Sequence, residues 1–217
     1  MNSLRILIAD DHDLVRRGIR ELLQSYPVWS ICAEAKTGRD AVAKSQALKP
    51  DIAILDVSMP DLNGLEATRK IRIVSPRTEV LILSMHSSDH LTREILDTGA
   101  RGYILKSDSA RDLAIAIETL AKHKPFFTSN ATEVILKGFK RGSIAEGPEL
   151  IRDQLTDRER EIIQLLAEGS TSKEVATALS IKVKTAETHR SNIMRKLEIH
   201  TTSELVRYAI HNQIIEA

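Results

Sequence analysis

The stretch Leu4-Arg5-Ile6-Leu7-Ile8-Ala9-Asp10-Asp11 is a short apolar run that ends in two adjacent acids. Further short runs of apolar or β-branched residues follow, and several of them are continuous rather than alternating. Continuous runs are typical of parallel strands that are buried on both faces of a sheet. The runs cover residues 4–9, 30–35, 51–55, 80–84 and 102–105.

Segments with helical periodicity separate these runs, since their apolar residues recur three and four positions apart. The alternation of strand and helix, repeated five times, predicts an α/β doubly wound domain with a parallel five-stranded sheet. The first helical face is formed by Leu14, Gly18, Ile19, Leu22 and Leu23, and others lie within 41–48, 65–72 and 113–120.

The composition limits the class of protein. Hydrophobic residues make up 42% of the chain, enough for a core, and no apolar run approaches the ~20 residues that span a bilayer. The net charge of +1 excludes a uniformly polycationic nucleic-acid binder, although a local basic patch stays possible. The single cysteine, Cys32, excludes an internal disulfide framework and a cysteine-based zinc site. With no signal peptide recognisable, we expect a cytoplasmic protein.

The character of the sequence changes after the last strand-like run. We expect a first domain over 1–124, a linker over 125–155 that contains a short helix over 125–137, and a small all-α domain over 156–217. The motifs Thr156-x-x-Glu159, Thr171-x-x-Glu174 and Thr201-x-x-Glu204 each match a helix capping box. They predict four helices near 157–168, 172–179, 185–197 and 202–211.

Polar residues stand at the ends of four predicted strands: Asp10-Asp11, Asp56, Ser84 and Lys106. The carboxyl ends of parallel strands lie at one edge of a doubly wound sheet, where such folds bind ligands. Three clustered carboxylates repel one another, and Mg²⁺ together with Lys106 would neutralise them. A carboxylate beside two cations can attack a phosphoryl group, and Ser84 could donate a hydrogen bond to the product.

Each of these residues also has an ordinary interpretation. Asp10-Asp11 could cap a helix, Asp56 could form a turn, and Lys106 could be a solvated lysine. Their joint position at strand ends favours a phosphoryl-acceptor site.

Four strings carry a resemblance to a known family. They are Ile8-Ala9-Asp10-Asp11-His12, Leu55-Asp56-Val57-Ser58-Met59-Pro60-Asp61-Leu62-Asn63-Gly64-Leu65, Leu83-Ser84-Met85 and Gly102-Tyr103-Ile104-Leu105-Lys106. With them, residues 4–122 resemble a response-regulator receiver domain of flavodoxin-like fold, which implies the strand order 2-1-3-4-5.

The resemblance also implies roles for individual residues. Asp56 would accept a phosphoryl group from a sensor histidine kinase. Asp10, Asp11, Asp56 and the backbone carbonyl of Ser58 would surround Mg²⁺. Ser84 and Lys106 would hold the phosphoryl group, and Tyr103 would be an aromatic switch that turns inward when Ser84 moves.

The C-terminal domain has a basic segment, with a net charge of +3 over residues 173–199. Two short helices joined by a turn at 179–183 indicate a helix-turn-helix, whose second helix can enter the major groove of DNA. A generic helical bundle with a solvated basic face is the alternative. The strings at 155–161, 169–176 and 183–197 resemble a LuxR-type helix-turn-helix.

This second resemblance implies a division of the DNA-binding residues. Three would read base edges, and six cations would contact phosphates. The base-edge residues are Glu187, Thr188 and Ser191, and the cations are Lys173, Lys182, Lys184, Arg190, Arg195 and Lys196.

The whole chain is therefore similar to a NarL/FixJ-type response regulator, a transcriptional regulator that binds promoter double-stranded DNA. Phosphorylation would change its DNA binding and its dimerisation. We expect a homodimer when it is phosphorylated or bound to DNA, and no catalysis beyond its own phosphoryl uptake and loss. One alternative keeps the DNA binding with a phosphorylation-independent receiver. The other is an aspartyl-phosphate hydrolase, which needs a second acid where this chain has Ser58.

Overall fold

The computed structural model describes residues 3–85, 88–127, 132–133 and 155–215. The chain divides into two compact units. Strands and helices alternate through the first unit: β1 Leu4–Ala9, α1 Asp13–Gln24, β2 Trp29–Ala35, α2 Gly38–Leu48, β3 Ile52–Asp56, α3 Gly64–Val74, β4 Glu79–Ser84, α4 Asp89–Asp97, β5 Gly102–Leu105, α5 Ala110–Leu120 and β6 Phe126–Phe127.

The sheet of the first unit has the order β2-β1-β3-β4-β5-β6, and all neighbouring strands are parallel. The central strands β3 and β4 are buried along their whole length, because helices cover both faces of a doubly wound sheet. The predicted fold class and the order 2-1-3-4-5 are confirmed. The register pairs Ala9 with Leu55, Asp56 with Leu83, and Ser84 with Leu105, so the strands end at one common edge.

A sixth strand extends the predicted five. The backbone amide of Phe126 donates to the carbonyl of Arg101 at 2.9 Å, which pairs β6 with β5. A helix over 125–137 was therefore wrong at Phe126 and Phe127, since a strand of two residues is too short to show a period of its own. Residues 132–133 are helical, and the rest of that predicted helix lies outside the described residues.

Helix α1 differs from the predicted apolar face at Leu14 and Gly18, which are both exposed. Leu14 is 82% exposed, whereas Arg16 is only 6% exposed. The Arg16 guanidinium donates to the Asp10 carbonyl at 2.7 Å and its Nε lies 3.5 Å from Glu34 Oε2. These polar partners compensate its burial, so a cation replaces the leucine in the packed position.

The second unit is all-α within the described residues and contains α6 Asp157–Ala167, α7 Ser172–Ala178, α8 Val183–Lys196 and α9 Thr202–His211. The capping boxes at the starts of α6, α7 and α9 are formed as predicted. Helix α8 begins two residues before the predicted start, and Lys182 precedes it without a side-chain cap. A shared apolar core that includes Ile162, Val175 and Ile193 joins the helices.

Among the described residues, none of the helices combines the length and the apolar character needed to cross a lipid bilayer.

Gly64, the first residue of α3, lies against the backbone of Asp56. A Cβ built on Gly64 would overlap the Asp56 carbonyl oxygen and come within 2.8 Å of its carbonyl carbon. We expect Gly64→Ala to lower the free energy of unfolding by about 1–3 kcal/mol or more, because backbone atoms must shift. Urea unfolding followed by circular dichroism measures this.

Gly18→Ala is the matched control. Gly18 lies in the interior of α1, is exposed, and has no heavy atom within 4 Å of a built Cβ. We expect it to stabilise the protein by roughly 0.5–1 kcal/mol. Equal effects of the two substitutions would contradict the close approach at Gly64.

Candidate functional site

The carboxyl edge of the sheet brings together side chains from four strand ends. Asp10 follows β1, Asp56 ends β3, Ser84 ends β4 and Lys106 follows β5. Asp10 and Asp56 are 0% and 2% exposed, and Ser84 is also buried, whereas Asp11 is exposed. Two buried carboxylates at one edge require a cation, because burial penalises each unpaired charge.

Lys106 supplies that charge. Its Nζ lies 2.8 Å from Asp10 Oδ2 and 2.9 Å from Asp56 Oδ2, and its side chain is 6% exposed. Burial alone would lower the pKa of Lys106, but hydrogen bonds and charge attraction from Asp10 and Asp56 outweigh it and raise the pKa. Lys106 is therefore a permanent cation between the two carboxylates.

The ionised form of Asp56 is still disfavoured despite this partner. Burial and then the charge of Asp10 raise its pKa to about 6, while Lys106 offsets part of that effect. Asp56 is therefore mainly ionised at neutral pH, but its ionised form is less favourable than that of a solvated aspartate. Additional positive charge at this edge would stabilise it.

The carboxylates fit a divalent cation. Asp10, Asp11, His12 and Asp56 each offer a ligand atom, and these atoms all lie within 4.8 Å of one another. A set dominated by carboxylate oxygens suits Mg²⁺, a hard cation. Ser58 lies partly buried in the loop after β3, two residues from Asp56.

Two residues close to this edge, His12 and Arg16, were not predicted from the sequence as part of the site. His12 Nδ1 lies 2.8 Å from Asp11 Oδ1 and 3.3 Å from Asp10 Oδ1. Arg16 donates to the Asp10 carbonyl from inside α1. The adjacency of His12 to two acids was a usable signal, whereas nothing in the sequence distinguishes Arg16 from a solvated arginine.

Ser84 and Tyr103 lie on adjacent strands. The Ser84 carbonyl accepts a hydrogen bond from the Lys106 backbone amide at 2.8 Å, which fixes the end of β4 against the start of the β5–α5 loop. Tyr103 pairs with Ile82 across β4 and β5 and is fully buried. The aromatic ring is thus in an inward position in this structure.

In the second unit, α8 has one buried and one exposed face. Ala186 and Ile193 are buried. The opposite side forms an exposed stripe whose members recur at helical spacing. The stripe consists of Lys184, Glu187, Thr188, Ser191 and Arg195.

The remaining predicted DNA contacts lie elsewhere on the second unit. Lys173 on α7 and Lys182 before α8 are exposed. Arg190 is partly buried, and its Nη2 lies 3.4 Å from Thr202 Oγ1. Lys196 is held by both carboxylate oxygens of Glu159 at 2.8 Å. The structure thus brings five of the nine predicted residues onto one surface of α8.

The raised pKa of Asp56 predicts a pH-dependent effect of Asp56→Asn on stability. The folded state holds the Asp56 proton more tightly than the unfolded state, so the wild type loses stability as pH rises from 3.8 through about 6. At pH 7.5, without divalent metal, Asp56→Asn should therefore raise the free energy of unfolding by up to about 3 kcal/mol. At pH 4.5 the gain should be much smaller.

Urea unfolding in EDTA at the two pH values measures this difference. Asp97→Asn, at the exposed end of α4, is the control and should change neither value. A gain from Asp56→Asn that is the same at both pH values would contradict a raised pKa.

Comparison with protein families assigns each unit. The response regulator receiver domain model matches residues 6–118. The model of bacterial regulatory proteins of the luxR family matches residues 153–209.

Known response regulators match most of this chain or nearly all of it. Response regulator protein VraR of Staphylococcus saprophyticus is 36% identical over 213 residues, 98% of this chain and 99% of the relative. A LuxR-family two-component response regulator from Aurantimonas superposes with a TM-score of 0.60 at 30% identity, covering 64% of this chain and 99% of that one. RcsB of Salmonella typhimurium gives a TM-score of 0.58 at 26% identity, covering 96% and 98% of the two chains.

The geometry of the carboxyl edge, the helix-turn-helix and these matches agree. The chain belongs to the response regulators that join a receiver domain to a LuxR-type DNA-binding domain, and it is a phosphorylation-dependent transcriptional regulator.

Proposed function

We propose that Asp56 is the phosphoacceptor and that its phosphorylation by a sensor histidine kinase controls DNA binding by α8. The observation that carries this proposal is the buried Asp56 carboxylate, 2.9 Å from Lys106 Nζ and beside Asp10. Asp97, by contrast, lies exposed at the end of α4.

Asp10, Asp11, Asp56 and the backbone carbonyl of Ser58 would hold Mg²⁺. When bound, the ion neutralises carboxylate repulsion and stabilises charge on the phosphoryl oxygens. The close grouping of the carboxylates of Asp10, Asp11 and Asp56 supports this ligand set.

Phosphoryl transfer forms one bond and breaks one. A carboxylate oxygen of Asp56 forms a new O–P bond while the bond from phosphorus to the donor's leaving group breaks, and the leaving group keeps that electron pair. Lys106 then attracts a phosphoryl oxygen, and the Ser84 hydroxyl donates a hydrogen bond to another. A new dianionic group also competes with Asp10 for the charge of Lys106.

This redistribution of hydrogen bonds would drive the conformational change of the receiver. Movement of Ser84, at the end of β4, towards the phosphoryl group would alter the packing of β4 beside β5, the strand that carries Tyr103. We assign Tyr103 as the aromatic residue that responds to phosphorylation. Its complete burial means that any change in the β4 packing reaches it directly.

The output is DNA binding rather than turnover of a substrate. The receiver would catalyse only its own phosphoryl uptake and loss. An aspartyl-phosphate hydrolase is disfavoured, because Ser58 cannot act as the general acid that such enzymes use two residues after the nucleophile. Labelling with a phosphodonor also tests the alternative of a receiver that works without phosphorylation.

DNA binding would use the exposed stripe of α8. Glu187, Thr188 and Ser191 would read base edges, and nearby cations would contact phosphates. A structure of two RcsB dimers bound to two parallel DNAs supports a homodimer on promoter DNA, and a dimer would read half-sites about one helical turn apart. The phosphate-contacting cations would be Lys173, Lys182, Lys184, Arg190 and Arg195.

We also place the protein in the bacterial cytoplasm.

Labelling with acetyl phosphate in the presence of Mg²⁺ tests the phosphoacceptor. We expect the full chain to gain one phosphoryl group, measured by intact-protein mass spectrometry, and Asp56→Ala to gain none. Asp97→Ala should be labelled like the wild type. Sedimentation of the wild type should show more dimer after labelling.

Labelling of Asp56→Ala at the wild-type level would overturn the assignment of Asp56. Labelling that leaves DNA binding and dimerisation unchanged would instead favour the phosphorylation-independent receiver. Loss of the label within seconds, with phosphate released through many turnovers, would favour the hydrolase.

Two α8 substitutions should separate base contacts from phosphate contacts. Lys184→Ala should weaken binding to all duplexes alike and reduce the slope of log affinity against log salt by about 1. Ser191→Ala should weaken binding mainly to a duplex selected by the wild-type protein from a random pool. Anisotropy titrations at several salt concentrations measure both effects, and a uniform loss for Ser191→Ala would contradict its role in base reading.

A further inference from the structure

The first turn of α6 contacts both helices of the helix-turn-helix. Arg158 Nη2 donates to the carbonyl of Leu179, the C-cap residue that follows α7, at 2.8 Å. The next residue, Glu159, binds the Lys196 ammonium in the last turn of α8. Two adjacent side chains of one turn thus fix the end of α7 and the end of α8.

Glu159 is a rigid partner for Lys196. Its side chain is 7% exposed. Oε2 also accepts from the Thr156 backbone amide at 2.9 Å and from the Thr156 hydroxyl at 3.1 Å, as part of the α6 capping box. Both oxygens lie 2.8 Å from Lys196 Nζ. A carboxylate held by the backbone in this way cannot follow a lysine that moves away.

The position of Lys196 on α8 also separates it from the exposed stripe. At 100° per residue, Lys196 lies about 120° around the helix from the centre of that stripe and about 60° from buried Ile193. Its neighbour Arg195 lies on the stripe, and its Nη2 contacts Asn192 Oδ1 of the same helix at 3.2 Å. Arg195 and Lys196 are therefore adjacent in sequence, but Arg195 faces the exposed stripe and Lys196 faces Glu159.

A phosphate contact by Lys196 would break this arrangement. The ammonium would leave two charge-assisted contacts, and Glu159 would keep a largely buried carboxylate without its cation. Removing one partner of such a pair is costly, because the remaining charge is poorly solvated. A phosphate contact by Arg195 has no comparable cost in free energy, because it breaks only the contact with Asn192 and leaves no buried carboxylate without a cation.

We propose that Lys196 is a positioning residue whose ion pair with Glu159 fixes the orientation of α8 for base reading, rather than a contact to DNA phosphate. This revises the phosphate role expected for Lys196 from the resemblance. The proposal rests on the proposed function of α8 as the DNA-reading helix.

The test compares full-length Lys196→Met, Glu159→Gln and Arg195→Met with the wild type. Glu159→Gln removes the charge but keeps an oxygen that can accept the capping hydrogen bond from Thr156. Binding is measured by anisotropy, over a range of salt, to a duplex selected by the wild type and to an unselected duplex of equal length. Circular dichroism and thermal unfolding identify the temperature at which every variant is folded.

A positioning role has three expected results. Lys196→Met weakens binding to the selected duplex by about three- to tenfold, leaves binding to the unselected duplex nearly unchanged, and keeps the salt slope. Glu159→Gln weakens binding to the selected duplex in the same way, and a variant that combines Lys196→Met with Glu159→Gln binds no worse than either single variant. Arg195→Met lowers both affinities and reduces the slope by about 1.

A phosphate contact has the opposite signature. Lys196→Met would then reduce the slope by about 1 on both duplexes, and Glu159→Gln would tighten binding by releasing Lys196. Either result overturns the proposal. If Arg195→Met and Ser191→Ala also leave the affinity for both duplexes unchanged, α8 is not the DNA-reading helix. That outcome contradicts the proposed function itself, whereas a changed salt slope for Lys196→Met contradicts only the role proposed for Lys196.

Discussion

The charge balance between Lys106 and the carboxylates of Asp10 and Asp56 is the constraint on which the receiver depends. Parallel strands that share a register must end at a common edge, so their terminal side chains meet there. Without the ammonium of Lys106, two buried carboxylates would repel each other in a medium that solvates neither. With it, Asp56 keeps a pKa of about 6 and stays receptive to further positive charge. The same excess of negative charge that weakens the fold makes the edge suitable for a metal ion.

A similar pairing of a buried acid with a lysine occurs in the DNA-binding unit. Glu159 is anchored by the Thr156 capping box and holds Lys196 at the end of α8. In the receiver the lysine lies among groups proposed to do chemistry, whereas in the helical unit it connects two helices. The same interaction therefore serves different purposes, and residue type alone does not distinguish them. Burial and the identity of the neighbouring groups do.

Much of the fold could be predicted because local signals and tertiary packing agree. Continuous apolar runs marked β1 and β3 to β5, and the Thr-x-x-Glu motifs marked the starts of α6, α7 and α9. Strand ends also indicated which acids would meet. Other features depend on partners distant in the chain and could not be predicted: β6 needs the edge of β5, and buried Arg16 needs the Asp10 carbonyl and Glu34. Likewise, the position of Lys196 on α8 does not reveal that Glu159 holds it.

The contact between Gly64 and the Asp56 backbone bears on how natural variants of this chain should be interpreted. Every other amino acid carries a Cβ, and the space for that atom is already filled by the Asp56 peptide. Selection for folding alone therefore preserves glycine at 64, even in a lineage whose receiver no longer signals. Substitutions of Asp56 could then accumulate in that lineage while Gly64 stays unchanged. Retention of the glycine is evidence of an intact loop, and under the role proposed for Asp56 only that acid records whether phosphorylation is still under selection.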